Sequence, residues 1–484
     1  MPQVPTTALA EDLHISKILT GLWQIADMER NGQPLDPDTT AEAMRPYLEA
    51  GLTTFDMADH YGSAEVISGC FRQKVGGDRL QLLTKWVPEP GNNSREQVRV
   101  AIQRALDRLQ MDRLDLLQYH AWNYADARWL NDLFWLQELQ TEGLIRHLGV
   151  TNFDAAHLNM VLQSGIKLVS NQISYSLIDQ RASKEMTEVC RRHGVKILAF
   201  GTLAGGLLSE RWLGQPDRPA DKMDTWSQMK YKRFVDEAGG WAKFQALLNT
   251  LDTLAKAKGV SIANLACRYM LEQEAVGGII IGARLGKSNR IADNLRLFSF
   301  ELSVTDQETI RTALAELTSI PGNCGDEYRK PPFLTASGDL SHHLEEFPPP
   351  YPVTSTGNKR QKALSGTIWE DLAGFSRAVR TGNRILISGT TATHGNRCIG
   401  GNDPAAQANF VIDKIAGAIQ SLGGSLADVV RTRVYVQRME DWEAISRVHG
   451  VRFGAIQPAN TLIRADLIGE EYLVEIEAEA VVQK

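Results

Sequence analysis

The stretch TTFDMADHYG, residues 53–62, begins as a β-like run, ends that run on a carboxylate at Asp56, and carries a phenol, Tyr61, in the turn that follows. Polar residues at the carboxyl end of a strand are where α/β folds build their sites, so what surrounds this stretch decides which fold it belongs to. Working outward, β-like runs end near Trp23, Asp56, Lys85, His120, Asn152, Gln172, Gly201 and Gly282, with room for a crossover helix between each pair. Eight strand and helix units from Lys17 to about Leu317 predict that a first domain, residues 1–319, is a (β/α)8 TIM barrel rather than a doubly wound sheet. No GxGxxG follows an early strand. Thr39 with Glu42, Ser94 with Gln97, and Thr305 with Glu308 have capping-box spacing, and Gly51 fits a helix C-terminus.

Residues 320–362, with PGNCGDEYRKPP and EEFPPPYPVTSTGNKRQK, read as a linker rich in proline, glycine and charge. From residue 363 to 484 the pattern changes to strand (384–388), helix (404–422), strand (429–436), helix (441–453) and two further strands, predicting a smaller α+β domain. In the last strand Val474, Ile476, Ala478 and Ala480 alternate with Glu475, Glu477 and Glu479, the mark of a sheet with one buried face.

The length of 484 residues suits such a two-unit plan, and 43% hydrophobic with 23% charged residues is ordinary for a globular protein. A net charge of -6 argues against a nucleic-acid or anionic-membrane footprint. The start, MPQVPTTALAEDLH, lacks the pattern of a signal peptide, and the apolar stretch at 197–208 is far shorter than the ~20 residues of a membrane helix. The five scattered cysteines, never spaced CxxC, indicate neither a disulfide framework nor a zinc site. A cytoplasmic protein without a metal is expected.

Asp56, Tyr61, Lys85 and His120 stand at the ends of consecutive strands, on the face where barrel active sites form. A free tyrosine has a pKa of about 10, too high for acid work near neutrality; a nearby ammonium favours the phenolate, and a carboxylate keeps that ammonium charged and oriented. Together with an imidazole, these groups make a proton-donating site for a carbonyl oxygen.

These motifs, with GVTNF from Gly149, NQISYS from Asn171 and IIIGARLGKSNRIADNL from Ile279, resemble the aldo-keto reductase family over residues 17 to about 318. The resemblance implies NADPH-dependent reduction of an aldehyde or ketone, with Tyr61 as acid, Lys85 and Asp56 tuning it, and His120 orienting the substrate. It further implies that Thr151, Asn152 and Gln172 hold the nicotinamide amide and that Phe200 stacks on its ring. Gly201, Leu203, Gly205 and Gly206 would approach the pyrophosphate. Gly282, Arg284, Arg290 and Asn294 would clamp the adenosine phosphate of NADP(H), guanidinium groups matching phosphate oxygens. Trp23, Trp86 and Trp122, all just after strand ends, are candidates for the substrate pocket wall.

The second unit resembles the Rid family of reactive-intermediate deaminases, a chorismate-mutase-like fold. The matching segments are GFSRAV from Gly374, ISGTT from Ile387, SLADVVRTRVYV from Ser425, QPANT from Gln457 and LVEIEAEAV from Leu473. Active members hydrolyse imines in clefts between subunits of a trimer, gripping a carboxylate with an arginine where this chain has Asn460. Phe375 replaces the family's tyrosine, and Glu475 keeps its place. The resemblance thus implies a homo-oligomer, a trimer, in which this unit serves assembly or ligand binding. The alternatives are a sensor of nicotinamide state with little turnover, and a bifunctional reductase and imine deaminase.

Overall fold

The computed structural model describes residues 4–25, 35–329, 334, 344, 347–356 and 360–483. The chain opens with an antiparallel hairpin, β1 (Thr6–Ala10) and β2 (Leu13–Ser16), which sequence reading did not anticipate. Its Leu9, Leu13 and Ile15 form one apolar cluster with Leu19, Leu83, Leu116 and Leu198 of the following strands, covering the amino end of the barrel.

The eight expected strands are β3 (Ile18–Gly21), β4 (Thr54–Asp56), β5 (Gln81–Trp86), β6 (Leu114–His120), β7 (Ile145–Thr151), β8 (Ser170–Ser174), β9 (Lys196–Phe200) and β10 (Val276–Gly282). All neighbours are parallel, and pairing of β10 with β3 closes the barrel. Register sets the rim: Gly21 pairs with Asp56, Lys85 with Gln118, His120 with Thr151, and Thr151 with Gln172. The polar strand ends therefore meet at one mouth.

Local signals act as expected at Ser94, where both arms of a capping box with Gln97 form. Two other caps move. Asp36 caps the first helix, accepting from the Thr39 N–H with Pro37 at the first helical position, and Ser303 with Asp306 replaces Thr305 with Glu308. In each case a side chain just upstream of the expected pair reaches the free N–H groups first.

Part of the stretch expected as linker folds back onto the barrel. Arg181 binds Asp179 at 2.7 Å and Glu327 at 2.9 Å, all three side chains buried, and also donates to the Asn323 carbonyl. This pins the segment containing Cys324, Tyr328 and Arg329.

The second unit is a seven-stranded sheet ordered β11-β12-β13-β14-β19-β17-β18. Its strands are β11 (Val353–Thr356), β12 (Arg360–Ala363), β13 (Ala378–Thr381), β14 (Arg384–Thr391), β17 (Val429–Val436), β18 (Ala459–Arg464) and β19 (Val474–Val481), with a small hairpin of β15 (Thr393–His394) and β16 (Arg397–Cys398) beside it. β11 and β12, read from sequence as linker, extend this sheet. In β19 buried and half-buried residues alternate as expected. The helix Pro404–Ser421 is buried along nearly all its length, because it packs on the sheet and on the barrel helix Ala155–Gln163. No described helix is long and apolar enough to cross a membrane.

Candidate active site

The mouth of the barrel is organised around a buried ion pair. Lys85 Nζ lies 2.7 Å from Asp56 Oδ2 and donates to the Met57 carbonyl at the same distance. The other carboxylate oxygen of Asp56 accepts from Gln172 Nε2 at 2.7 Å and from Gln118 Nε2 at 3.3 Å. Both oxygens of the carboxylate thus have donors, which is what makes a buried charge tolerable. The lysine ammonium stands 5.2 Å from the centre of the Tyr61 ring, and Trp23 meets that ring edge-on at 5.0 Å.

His120 completes the set. Its Nδ1 faces the Thr151 carbonyl at 3.4 Å, and its Nε2 is buried with no partner among the described residues. Burial, joined by the charge of Arg329, pushes its pKa down to about 3, so the ring is neutral around pH 7. Trp122 meets the imidazole edge-on at 4.4 Å and is itself fixed by donating to the Pro88 carbonyl. Trp86 is buried, with its ring centre 5.7 Å from that of Tyr119.

Thr151 donates through its hydroxyl to the Gln172 carbonyl at 3.0 Å. Asn152 takes a left-handed conformation, φ 61°, and its Oδ1 is buried without a partner among the described residues. Phe200 ends β9 with the Lys230 ammonium 5.6 Å from its ring. After it, Gly201 and Gly205 have φ of 73° and 64°, and a Cβ on Gly205 would lie 2.8 Å from the Ser227 backbone, so glycine is required there. Leu203 and Gly206 share this turn, and the space beside Gly206 is open. Gly282 ends β10; Arg284 is exposed and donates to Gln24 Oε1 at 3.1 Å. Arg290 is exposed, and its carbonyl accepts from the Asn294 N–H at the start of the short helix Ile291–Leu295.

Three site residues were not found by sequence reading. Gln118 lies two positions before His120, on the same face of β6, and that alternation was the available signal. Tyr328 lies 6.2 Å from the His120 ring and 6.5 Å from the Phe200 ring, its hydroxyl bonded to Lys230. Arg329 donates to the Asn152 carbonyl at 2.8 Å. Both come from the proline- and glycine-rich stretch, where no periodicity marks them.

Residues 17–315 match the model of the aldo/keto reductase family. The chain belongs to that family. Residues 369–482 match the endoribonuclease L-PSP family, so this aldo/keto reductase is a fusion with a Rid-type unit. Its barrel is similar to aldo-keto reductase YhdN of Bacillus subtilis, 26% identical over 67% of this chain and 98% of the relative. It is also similar to a protein named NADH-specific methylglyoxal reductase of Escherichia coli, 25% identical over 62% of this chain and 95% of that one. A solved structure, Rv2704 of the YjgF/YER057c/UK114 family from Mycobacterium tuberculosis, is 39% identical over 25% of this chain and 99% of its own, with a TM-score of 0.24. The aldo/keto reductase assignment makes the protein an oxidoreductase.

In the Rid-type unit the three expected cleft residues do not meet within one chain. Asn460 pairs in register with Thr432, to whose hydroxyl it donates at 2.9 Å, and Thr432 pairs with Ala478. Thr432 is fully buried under the helices, whereas Glu475 stands on the other face with Glu477 and Glu479. Phe375 precedes β13, with the Arg377 guanidinium 5.4 Å from its ring. Burial raises the Glu475 pKa.

Proposed function

We propose that the barrel reduces an aldehyde or ketone with NADPH, Tyr61 delivering the proton to the carbonyl oxygen. The observation that carries this reading is the buried Asp56–Lys85 pair beneath the Tyr61 ring, at a mouth it shares with a neutral His120 whose Nε2 has no partner among the described residues. A neutral imidazole at the mouth is a poor acid, which leaves the phenol in that role. The ammonium stabilises negative charge as it develops on the phenol oxygen, Asp56 holds the ammonium in place, and His120 orients the carbonyl.

The residues suit a nicotinamide cofactor: Asn152 Oδ1, without a partner among the described residues, is an acceptor in want of a donor, and the open backbone at Gly206 admits phosphate. Thr151, Asn152 and Gln172 would hold the carboxamide, Phe200 the ring face, Gly201, Leu203, Gly205 and Gly206 the pyrophosphate, and Gly282, Arg284, Arg290 and Asn294 the adenosine end with its extra phosphate. When bound, the cofactor supplies the hydride to the carbonyl carbon. Trp23 and Trp122 wall the substrate space, while buried Trp86 supports Tyr119 behind it.

The second unit serves assembly, building a homotrimer in the cytoplasm. Its helix-free sheet face exposes Leu386, Val430 and Ile463, an apolar surface that a subunit contact would cover. With Asn460 engaged by Thr432, no arginine stands at that position to grip a carboxylate, so imino-acid hydrolysis is not expected. A panel of aldehydes, ketones and sugars scored by NADPH oxidation, with Tyr61→Phe as the blank, tests the reductase reading; a panel with no Tyr61-dependent oxidation contradicts it.

A further inference from the structure

The turn that carries Asn152 is held from two sides by groups outside the barrel strands. On one side Arg329, from the segment after the barrel, donates Nη2 to the Asn152 carbonyl and lays its guanidinium 4.0 Å over the Tyr124 ring. Tyr124 accepts from the Asp154 N–H through its hydroxyl and stacks on His157, ring centres 3.4 Å apart and planes 10° off parallel. On the other side is the second unit. Asp154 caps the helix Ala155–Gln163, and both its oxygens lie 2.8 Å from His157 Nδ1. His157 Nε2 lies 2.8 Å from Asp413 Oδ2 on the helix Pro404–Ser421, 256 residues away, and Asp413 Oδ1 accepts from Arg452 Nη2 at 2.7 Å.

Asp154, His157 and Asp413 are each at least nine-tenths buried. Burial opposes a charged imidazole, but the two carboxylates outweigh it and raise His157 to about 9. Buried charges of this kind hold one arrangement firmly, because losing one partner strands the others without solvent. The chain is thus Asp413, His157, Asp154, then two residues along the backbone to Asn152, with Arg329 bracing the far side. Other ties across the same boundary, such as Asn159 Nδ2 to Asp403 Oδ2 at 2.9 Å, do not touch it.

We propose that Asp413, His157 and Arg329 are positioning residues for Thr151 and Asn152, so that the second unit completes the nicotinamide end of the barrel's cofactor site. This rests on the reading of Asn152 as a contact of the nicotinamide amide. It predicts an effect on one half of the cofactor only, which general loss of stability would not produce.

The test uses the full chain and fluorescence titrations with NADPH and with the adenosine bisphosphate half of the cofactor, which lacks the nicotinamide. Asp413→Asn should weaken NADPH about fivefold or more, as a typical coupling between sites does, while leaving the adenosine half within about twofold. Asn159→Ala should leave both affinities unchanged whatever it does to the melting temperature. Arg329→Gln approaches the turn from the other side and should repeat the Asp413→Asn result, which keeps the test available if Asp413→Asn does not fold. Asn152→Gly, which keeps the left-handed backbone, reads the underlying assumption. NADPH weakened by Asn152→Gly but by neither Asp413→Asn nor Arg329→Gln overturns the positioning role, as does equal weakening of both ligands. NADPH unaffected by Asn152→Gly overturns the cofactor reading of the turn and the inference with it.

Discussion

Asp56 and Gln172 are joined by a 2.7 Å hydrogen bond across the barrel mouth, from the glutamine amide to the carboxylate oxygen that Lys85 does not use. The carboxylate therefore links the residue proposed to tune the acid with one proposed to hold the nicotinamide amide. Asp56 enters this bond from the last position of β4, and Gln172 from the middle of β8.

The ion pair should behave as a buried one. Lys85→Met leaves Asp56 charged and short of its main partner, and should cost about 3 kcal/mol or more in urea unfolding. The double variant Asp56→Asn/Lys85→Met should recover much of that loss. A double variant as unstable as the two single changes added together would show that the groups do not interact.

Cofactor preference should depend on Arg284, with Arg290 assisting. Loss of a charge-assisted bond to phosphate in Arg284→Ala should weaken NADPH roughly tenfold or more and spare NADH. Titrations of both cofactors against both proteins decide it, and a relative named for its NADH specificity makes the comparison informative. Equal weakening would place Arg284 on a phosphate shared by the two.

The barrel was legible from sequence because its signals are local and repeated. Strand ends at Asp56, Lys85 and His120 each announce a change from apolar run to polar loop, and eight such units leave few alternatives. The contribution of Tyr328 and Arg329 was not legible. Their placement depends on the Asp179–Arg181–Glu327 cluster, which joins residues 146 positions apart in sequence and leaves no periodic trace. The strands β11 and β12 were hidden for a similar reason, since the edge strand Val353–Thr356 and its neighbour Arg360–Ala363 are polar strands without a buried alternation.

The clasp between the units carries a pH signature. His157 is raised in the folded chain above its unfolded value by Asp154 and Asp413, with Arg452, Arg329 and Asp326 among the other charges facing the cluster. Its contribution is therefore complete below about pH 6.5 and lost as pH rises through about 9. Lys414, lowered by burial to about 7, works in the opposite direction, so the difference between the natural chain and His157→Gln is the quantity to follow. That difference in unfolding free energy should shrink from pH 7 to pH 10. A constant difference would contradict the charged state of His157.

Assembly should run through the helix-free face of the second sheet. Light scattering on the full chain should give a trimer, and Leu386→Asp with Ile463→Asp, both exposed on that face, should give a monomer. A monomeric natural chain would sink the assembly reading.

The central claim is that Tyr61 supplies the proton. The most direct measurement is the rate of NADPH oxidation by Tyr61→Phe on an aldehyde that the natural chain reduces, beside a fluorescence titration of its NADPH affinity. The account predicts a fall of at least a hundredfold in rate, the low end of what a positioned general acid contributes, with affinity nearly unchanged because the ring is kept. Substantial remaining turnover at unchanged affinity would contradict it and move the acid role elsewhere in the mouth.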